Sequence, residues 1–370
     1  MEKRIRVSII SKLLNLTKRS HNAKQESGVG YLRQLGEFIA LARSPNLIGP
    51  SEYFDYRLYD PALSAQEKRQ FLGYKAERTY SRLNHASWHG TANDKILFEQ
   101  VMITAGFAVP KTLAIYHPWR VAGPYCLHIR TRDGLGNFLA GLTEFPIFVK
   151  PVHGLFGRGA NVIVRYDAAK KTVATHDNPR MSLEEFHNWI ETNTKVGMLF
   201  QKMMVPSPEV QQVCGSRLSG VRMNVLCDSN GPRLFRANWK LCTGNNIVNN
   251  IEDWTNGNVM AAVDHTTGLI TAARRGIGGE PVAVDENPDT RAPLIGAKVP
   301  NWDAMRSFVE DAARAFPGLR FQAWDIAATE DGICAIELNL ATLHTVHATQ
   351  LVSHQGFLDK QLSNALAQFL

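Results

Sequence analysis

The chain has 370 residues, of which 44% are hydrophobic and 20% charged, with five cysteines and a formal net charge of +7. That length supports two or three lobes with sizeable cores, and the balance of apolar to charged residues excludes a disordered chain. No apolar run is long enough to span a bilayer, and the scattered cysteines form no CxxC pair, which argues against a disulfide framework or thiolate zinc site and for a reducing cytoplasm.

The positive charge is concentrated at the start. Residues 1–24 hold Lys3, Arg4, Arg6, Lys12, Lys18, Arg19 and Lys24 against Glu2, so they carry +6 of the +7. A basic face for nucleic acid is therefore not expected. Ile5, Val7, Ile9, Ile10, Leu13, Leu14 and Leu16 are interleaved with those cations, as in a basic amphipathic helix. Three readings stand: a docked first helix, peripheral contact with anionic membrane, or a transit peptide. Residues 1–92 as a whole read as a helical N-terminal domain, from stretches such as LRQLGEFIALARS and SAQEKRQFLGYKAERTYSRLN.

Residues 93–205 read as a first αβ lobe. ANDKILFEQVMITAGFAVPKT predicts a helix capped near Asn93, with Ile96, Leu97, Val101 and Ile103 inward and Gly106 and Pro110 at its end. YCLHIR, FPIFVKP, ANVIVRYD and VGMLFQKMM are short β-rich runs, and SLEEFHNWIETN is a helix between the last two. In FVKPVHGLFGRGANVIV, Lys150 closes a strand and Gly154, Gly157 and Gly159 follow it. Glycines let backbone N–H groups approach a ligand with no Cβ in the way. Successive N–H groups form an anion nest, to which a lysine adds a point charge. The arrangement suits a polyphosphate; a glycine-rich hairpin turn is the alternative.

Residues 206–370 read as a second αβ lobe. GVRMNVLCD and PRLFRANWKL are strands joined at 228–231, DAMRSFVEDAARAFPG is a helix, and QLVSHQGFLDKQLSNALAQFL closes the chain as helix. FQAWDIAAT and ICAIELNL form a hairpin around residues 330–332. A three-residue loop with Gly332 left-handed pairs Thr329 with Ile333 and sets Asp325 opposite Glu337. One face then carries Ala323, Asp325, Ala327, Ala335, Glu337 and Asn339. Two carboxylates directly opposite one another repel. Either a proton or a basic neighbour relieves them, or they hold a metal. An oxygen-only donor set favours Mg2+, with Mn2+ as the alternative, over zinc.

Three common nucleotide schemes are excluded. GxxxxGK[ST] is missing because Gly159 is followed by Ala160 and Asn161. GxGxxG directly after a strand is missing, as are the HRD and DFG motifs of protein kinases. What remains is a lysine, then a glycine loop, then a D…ExN hairpin. That order resembles the ATP-grasp superfamily over roughly 93–345. With the helical front end, GPSEYFDYRLYD and WDIAATEDG…IELN, it is similar to the sugar-transfer-associated branch.

The resemblance implies an α+β fold of two αβ lobes enclosing ATP, preceded by a helical N-terminal domain. It implies Lys95 and Lys150 on the nucleotide phosphates, under a loop of His153, Gly154, Gly157 and Gly159. Gln201, standing where many members have glutamate, and Lys202 would flank adenine, with Glu209 on the ribose. Arg222 would face phosphate, and Asp325, Glu337 and Asn339 would be the Mg2+ ligands. The implied activity is ADP-forming carboxylate–amine ligation through an acyl phosphate, on small-molecule acid and amine substrates, in the cytoplasm. Arg222 and Lys240 are the candidate catalytic residues. Lys240, Asn245 and Asn249, in RANWKLCTGNNIVNNIEDWTNGN, either contact triphosphate or acceptor or belong to a solvated loop. His344 and His347 face either substrate or solvent. A kinase with a hydroxyl acceptor, and a membrane- or polymer-binding protein on a degenerate nucleotide fold, are the alternatives.

Overall fold

The computed structural model describes residues 2–76, 80–154, 157–251, 254–340 and 343–367. Two compact units result: Met1–Asn84 with Ala341–Leu370, and His85–Leu340.

The first unit is helical. Helix Glu2–Ser27 is followed by Tyr31–Ala42, Pro50–Asp55 and Ala65–Lys68. Ala23, Leu41, Ile48, Tyr53, Tyr56 and Phe71 are buried together in its core. The closing helices Leu343–Ser353 and Lys360–Ala367 belong to this unit. Gln350 Oε1 accepts from the Leu72 amide at 2.7 Å, and its Nε2 donates to the Leu72 carbonyl at 3.0 Å. His347 Nδ1 lies 2.7 Å from the Tyr56 hydroxyl. The His344 side chain and the side chains of residues 2–13 lie outside the described residues, and with them most of the basic pattern of 1–24. No helix among the described residues is long and apolar enough to cross a membrane.

The second unit is built on two seven-stranded sheets. The first contains β1 (Thr112–Tyr116), β2 (Leu127–Ile129), β3 (Ile147–Pro151), β4 (Asn161–Asp167), β5 (Thr172–Thr175), β6 (Met181–Ser182) and β7 (Met198–Lys202), in the order β2-β1-β7-β3-β4-β5-β6. The second contains β8 (Gly220–Asp228), β9 (Gly231–Leu241), β10 (Val259–Val263), β11 (Ile270–Ile277), β12 (Glu280–Ala283), β13 (Phe321–Thr329) and β14 (Gly332–Leu340), in the order β12-β11-β10-β9-β8-β13-β14.

Alternation along β7 divides the first sheet's two faces. Met198 and Phe200 enter a core with Ile147, Val149, Phe186 and Ile190. Leu199 points the other way, to Ile96, Ile115 and Val152. Lys150 is paired with Leu199 and Phe148 with Gln201, so Lys150 and Gln201 share the Leu199 face. That face is covered by helix Lys95–Thr104, whose N-cap Asp94 accepts from the Ile96 and Leu97 amides. The cap is therefore Asp94, one residue beyond Asn93. The buried side of this helix is Lys95, Ile96, Phe98, Glu99 and Met102, while Leu97 and Ile103 are 41% and 44% exposed. The expected apolar stripe is thus rotated, because the helix faces a polar cluster as well as a core.

The β13–β14 hairpin gives the expected pair for an unexpected reason. Its turn has two residues, with Thr329 opposite Gly332, rather than three. A bulge between Asp325 and Ile326 then adds one residue to β14 and restores Asp325 opposite Glu337. Ala335 consequently sits in the core with Ile326 and Ala328, and not on the Asp325 face.

Phe98 stacks on Phe316 at 6.0 Å between ring centroids and meets Trp324 edge-on at 5.9 Å. These contacts tie helix Lys95–Thr104 to the second sheet. Replacing Phe98 by Ala should cost about 3–5 kcal/mol, the usual range for a buried aromatic. Denaturant unfolding checks this; a midpoint equal to wild type would show that the aromatic cluster does not hold the helix.

Candidate functional site

The site grows from the centre of the second sheet. Register places Arg222 of β8 beside Asp325 of β13, and Lys240 of β9 two residues past Asn238, the partner of Arg222. All three side chains therefore rise from one face. Arg222 Nε donates to Asp325 Oδ1 at 2.6 Å and its Nη2 to Oδ2 at 2.9 Å. Lys240 Nζ donates to Oδ2 at 2.9 Å. A planar guanidinium on a carboxylate in this two-point geometry is among the stronger hydrogen-bonding arrangements. Burial alone would raise the Asp325 carboxyl, but Arg222 and Lys240 outweigh it and hold the group well below the usual carboxylate range. Burial lowers Lys240 against the partial compensation of Asp325. The repulsion between Asp325 and Glu337 is thus offset by the protein's own cations, and a metal is not required on that ground.

Glu337 is half-buried and differently placed. Its Oε1 accepts from Asn339 Nδ2 at 3.1 Å, and its Oε2 lies 3.7 Å from Lys95 Nζ. Lys95 also donates to the Gly154 carbonyl at 3.2 Å, which joins the helix start to the glycine loop. Lys150 is buried nearby; burial and the adjacent Lys95 charge lower it, against the opposing pull of Glu337 and Glu99. Four basic side chains therefore converge with Glu99, Asp325 and Glu337. Among the described residues no group of three or more His, Cys, Asp and Glu is arranged to hold a metal. The donor set nonetheless suits a hard cation through the oxygens of Glu337 and Asn339, since both Asp325 oxygens already accept strong hydrogen bonds.

The loop needs two of its three glycines for their conformation. Gly157 and Gly159 have φ of +71° and +73°, and a Cβ on Gly159 would approach Pro151 Cγ to 2.9 Å. Leu155 and Phe156 lie outside the described residues, and His153 is exposed. Lys202 and Glu209 are also exposed, Glu209 in the first turn of helix Pro208–Cys214. Lys240 proves to be a buried strand residue and no part of a loop. The segment after it is an asparagine-built loop. Asn258 Oδ1 accepts from the Thr243 amide and Asn246, and its Nδ2 donates to the Val248 and Asn250 carbonyls. Asn245 is exposed and Asn249 half-buried within it.

Sequence reasoning missed Glu99 and Thr112. Gln201 is buried, and its Nε2 donates to Glu99 Oε1 at 2.8 Å and to Thr112 Oγ1 at 3.0 Å. Thr112 Oγ1 in turn donates to Glu99 Oε2 at 2.8 Å. Glu99 follows Lys95 by four residues, a spacing that puts both on one helix face. That spacing was the available signal.

These features define an ATP-grasp fold. The sequence profile of the sugar-transfer associated ATP-grasp family matches residues 74–365, and the chain belongs to that family. Comparison with curated proteins finds no match. Among solved structures, it is similar to a D-Ala:D-Ser ligase from Enterococcus faecalis at 13% identity, covering 75% of this chain and 61% of the other, with a TM-score of 0.42. A biotin carboxylase from Campylobacter jejuni, in complex with a β-γ-ATP ligand, matches at 10% identity over 83% and 54%, with a TM-score of 0.44. The biotin carboxylase domain of a Hydrogenobacter thermophilus 2-oxoglutarate carboxylase, bound to MgADP, ADP and bicarbonate, matches at 14% over 74% and 47%, with a TM-score of 0.40. The chain thus spans about half to three fifths of the length of these structures.

Burial pushes the Glu99 carboxyl up to about 7, only partly offset by Lys150 and the Thr112 hydroxyl. Between the usual carboxylate range and that value the folded chain keeps a proton that the unfolded chain has released. Glu99 therefore makes stability fall as pH rises through this window. Thermal unfolding from pH 5 to 7.5 should show a smaller loss for Glu99→Gln than for wild type. Equal losses would show that Glu99 does not titrate near neutrality.

Proposed function

We propose that the protein is an ATP-dependent, ADP-forming ligase that joins a carboxylate to an amine through an acyl phosphate. One observation carries the reading. Lys95, Lys150, Arg222 and Lys240 converge on Asp325 and Glu337 beside a glycine loop, in a chain of the ATP-grasp family. Fixed cations of this kind stabilise charge on a transferring phosphoryl group at no reorganisation cost.

Lys95 and Lys150 bind the nucleotide phosphates. A substrate carboxylate oxygen attacks the γ-phosphorus, ADP departs, and an acyl phosphate is left. Arg222 and Lys240 sit where negative charge builds on the phosphoryl oxygens. The amine then attacks the acyl carbon, expelling inorganic phosphate and losing a proton. The glycine loop, joined to Lys95 through the Gly154 carbonyl, excludes water from an intermediate that hydrolyses readily. Mg2+, held through Glu337 and Asn339 with Asp325 alongside, would supply further neutralisation of the phosphate oxygens. No side-chain nucleophile is needed, because positioning and electrostatics suffice.

ADP release measured against pools of acids and amines tests the reaction. Release should require an acid and an amine together; release with a single hydroxyl-bearing acceptor would overturn ligation in favour of phosphoryl transfer. Lys150→Ala should weaken ATP binding by about 1.5–3 kcal/mol, the range for a hydrogen bond to a charged group, and affect AMP much less. Equal losses for the two nucleotides would place Lys150 away from the outer phosphates. Glu337→Gln, which removes charge and not volume, should abolish turnover with the unfolding midpoint retained. Unchanged turnover at saturating Mg2+ would exclude Glu337 as the donor.

A further inference from the structure

Helix Tyr31–Ala42 is apolar on the side it turns to solvent. Leu32, Leu35 and Ile39, spaced by three and four residues, form one stripe along it. Leu32 is 87% exposed and Leu35 54%. The inward side, with Gln34, Glu37, Phe38 and Leu41, is half polar. Gln34 accepts from Ser20 Oγ at 2.7 Å and donates to the Val29 carbonyl at 2.8 Å. Glu37 Oε2 accepts from the Tyr53 hydroxyl at 2.9 Å and from Lys68 Nζ at 3.0 Å. These bonds fix the helix with its aliphatic stripe outward. A surface helix ordinarily presents polar residues there, and a contiguous exposed apolar patch marks a contact surface.

The neighbouring charge identifies what makes that contact. The helical unit holds 16 Lys and Arg against 9 Asp and Glu, which is the whole +7 of the chain, while the sheet unit is neutral with 25 of each. Helix Glu2–Ser27 lies along the stripe: Lys24 Nζ is 4.7 Å from the centroid of the exposed Tyr31 ring, and His21 Nδ1 is 3.0 Å from its hydroxyl. Leu14, 65% exposed, precedes His21 by two helical turns and so extends the apolar surface on the same flank, with the exposed Lys18 between them. The nearby carboxylates Glu37 and Asp55 are taken up by Lys68 and Arg19. We propose that this face is a reversible docking surface for an anionic lipid bilayer, with Leu32, Leu35 and Ile39 entering the headgroup boundary and Lys18 and Lys24 at its edge. Aliphatic side chains bordered by lysines match that boundary, where the lysine stems lie along apolar surface and the ammonium groups meet lipid phosphate. A second copy of the chain is a poorer occupant, because it would bring two units of the same positive charge together.

Sedimentation of the full chain with phosphatidylcholine vesicles containing phosphatidylglycerol tests the proposal. The wild-type chain should co-sediment at about 0.1 M salt, and at least about tenfold less with phosphatidylcholine alone. Salt of about 1 M, which shortens the Debye length to about 3 Å, should release it. Leu32→Gln with Leu35→Gln removes the stripe without altering charge, and should lower partitioning at least about tenfold with the unfolding midpoint retained. Leu127→Gln, an equally exposed leucine of the sheet unit, should bind as wild type does. Lys18→Gln with Lys24→Gln leaves the stripe in place and should weaken binding to the anionic vesicles alone. Wild-type chain left in the supernatant at low salt, equal binding to both vesicle types, or undiminished binding by the double leucine variant would overturn the proposal. So would a dimer in analytical ultracentrifugation that the double leucine variant converts to monomer, since a second copy would then cover the stripe.

Discussion

The structure of the site depends on one buried carboxylate. Asp325 is 4% exposed, in a strand buried along its length, where an unpaired charge would be prohibitive. It is tolerable because three strands are in register. Arg222 and Lys240 reach it from β8 and β9, and together they satisfy both oxygens. Removing the carboxylate would leave two cations confined in the same low-dielectric space, and breaking such a buried arrangement typically costs about 3–5 kcal/mol. The cluster is therefore assembled before any ligand arrives. On the proposed reading, what it would offer an incoming phosphate is fixed positive charge, with Lys95 and Lys150 on the first sheet's side and the glycine loop tied to Lys95. Preorganisation of this kind is what electrostatic catalysis requires.

The candidate site was legible where a local rule sets the chemistry. A lysine ending an apolar strand before glycines marks Lys150 and its loop, and period-two alternation marks Asp325, Glu337 and Asn339 as one face. The facing of Asp325 and Glu337 follows from a two-residue turn plus a bulge, and neither is readable from Glu-Asp-Gly alone. Ala335 shows the limit: its position depends on which strand carries the extra residue. Which basic neighbours relieve the Asp325–Glu337 repulsion was likewise out of reach, since it depends on strands about 100 residues earlier in the chain meeting β13 in register. Glu99 was obscured because an apolar stripe ranks positions by hydrophobicity, and this helix buries a lysine and a glutamate instead.

The fold class and the main hairpins were readable for similar reasons. Turn residues at 228–231 separate two long β-rich runs, and Ser182 with Glu185 forms a capping box at the start of its helix. The strands β10 and β11 were not, because VMAAV and ITAARRGI owe their strand character to pairing with β9 and with each other, and not to alanine's weak β propensity. The association of residues 341–370 with the N-terminal unit has no local signature at all. It rests on contacts such as Gln350 with Leu72, which only tertiary structure creates.

Most of the proposed chemistry turns on the Asp325-centred cluster being a polyphosphate site. A crystal structure of the full chain with ADP and Mg2+ tests it most directly. The diphosphate should lie within hydrogen-bonding distance of Lys95 and Lys150, with the cation against Glu337 and Asn339. A nucleotide bound elsewhere, with these side chains left in their mutual ion pairs, would contradict it.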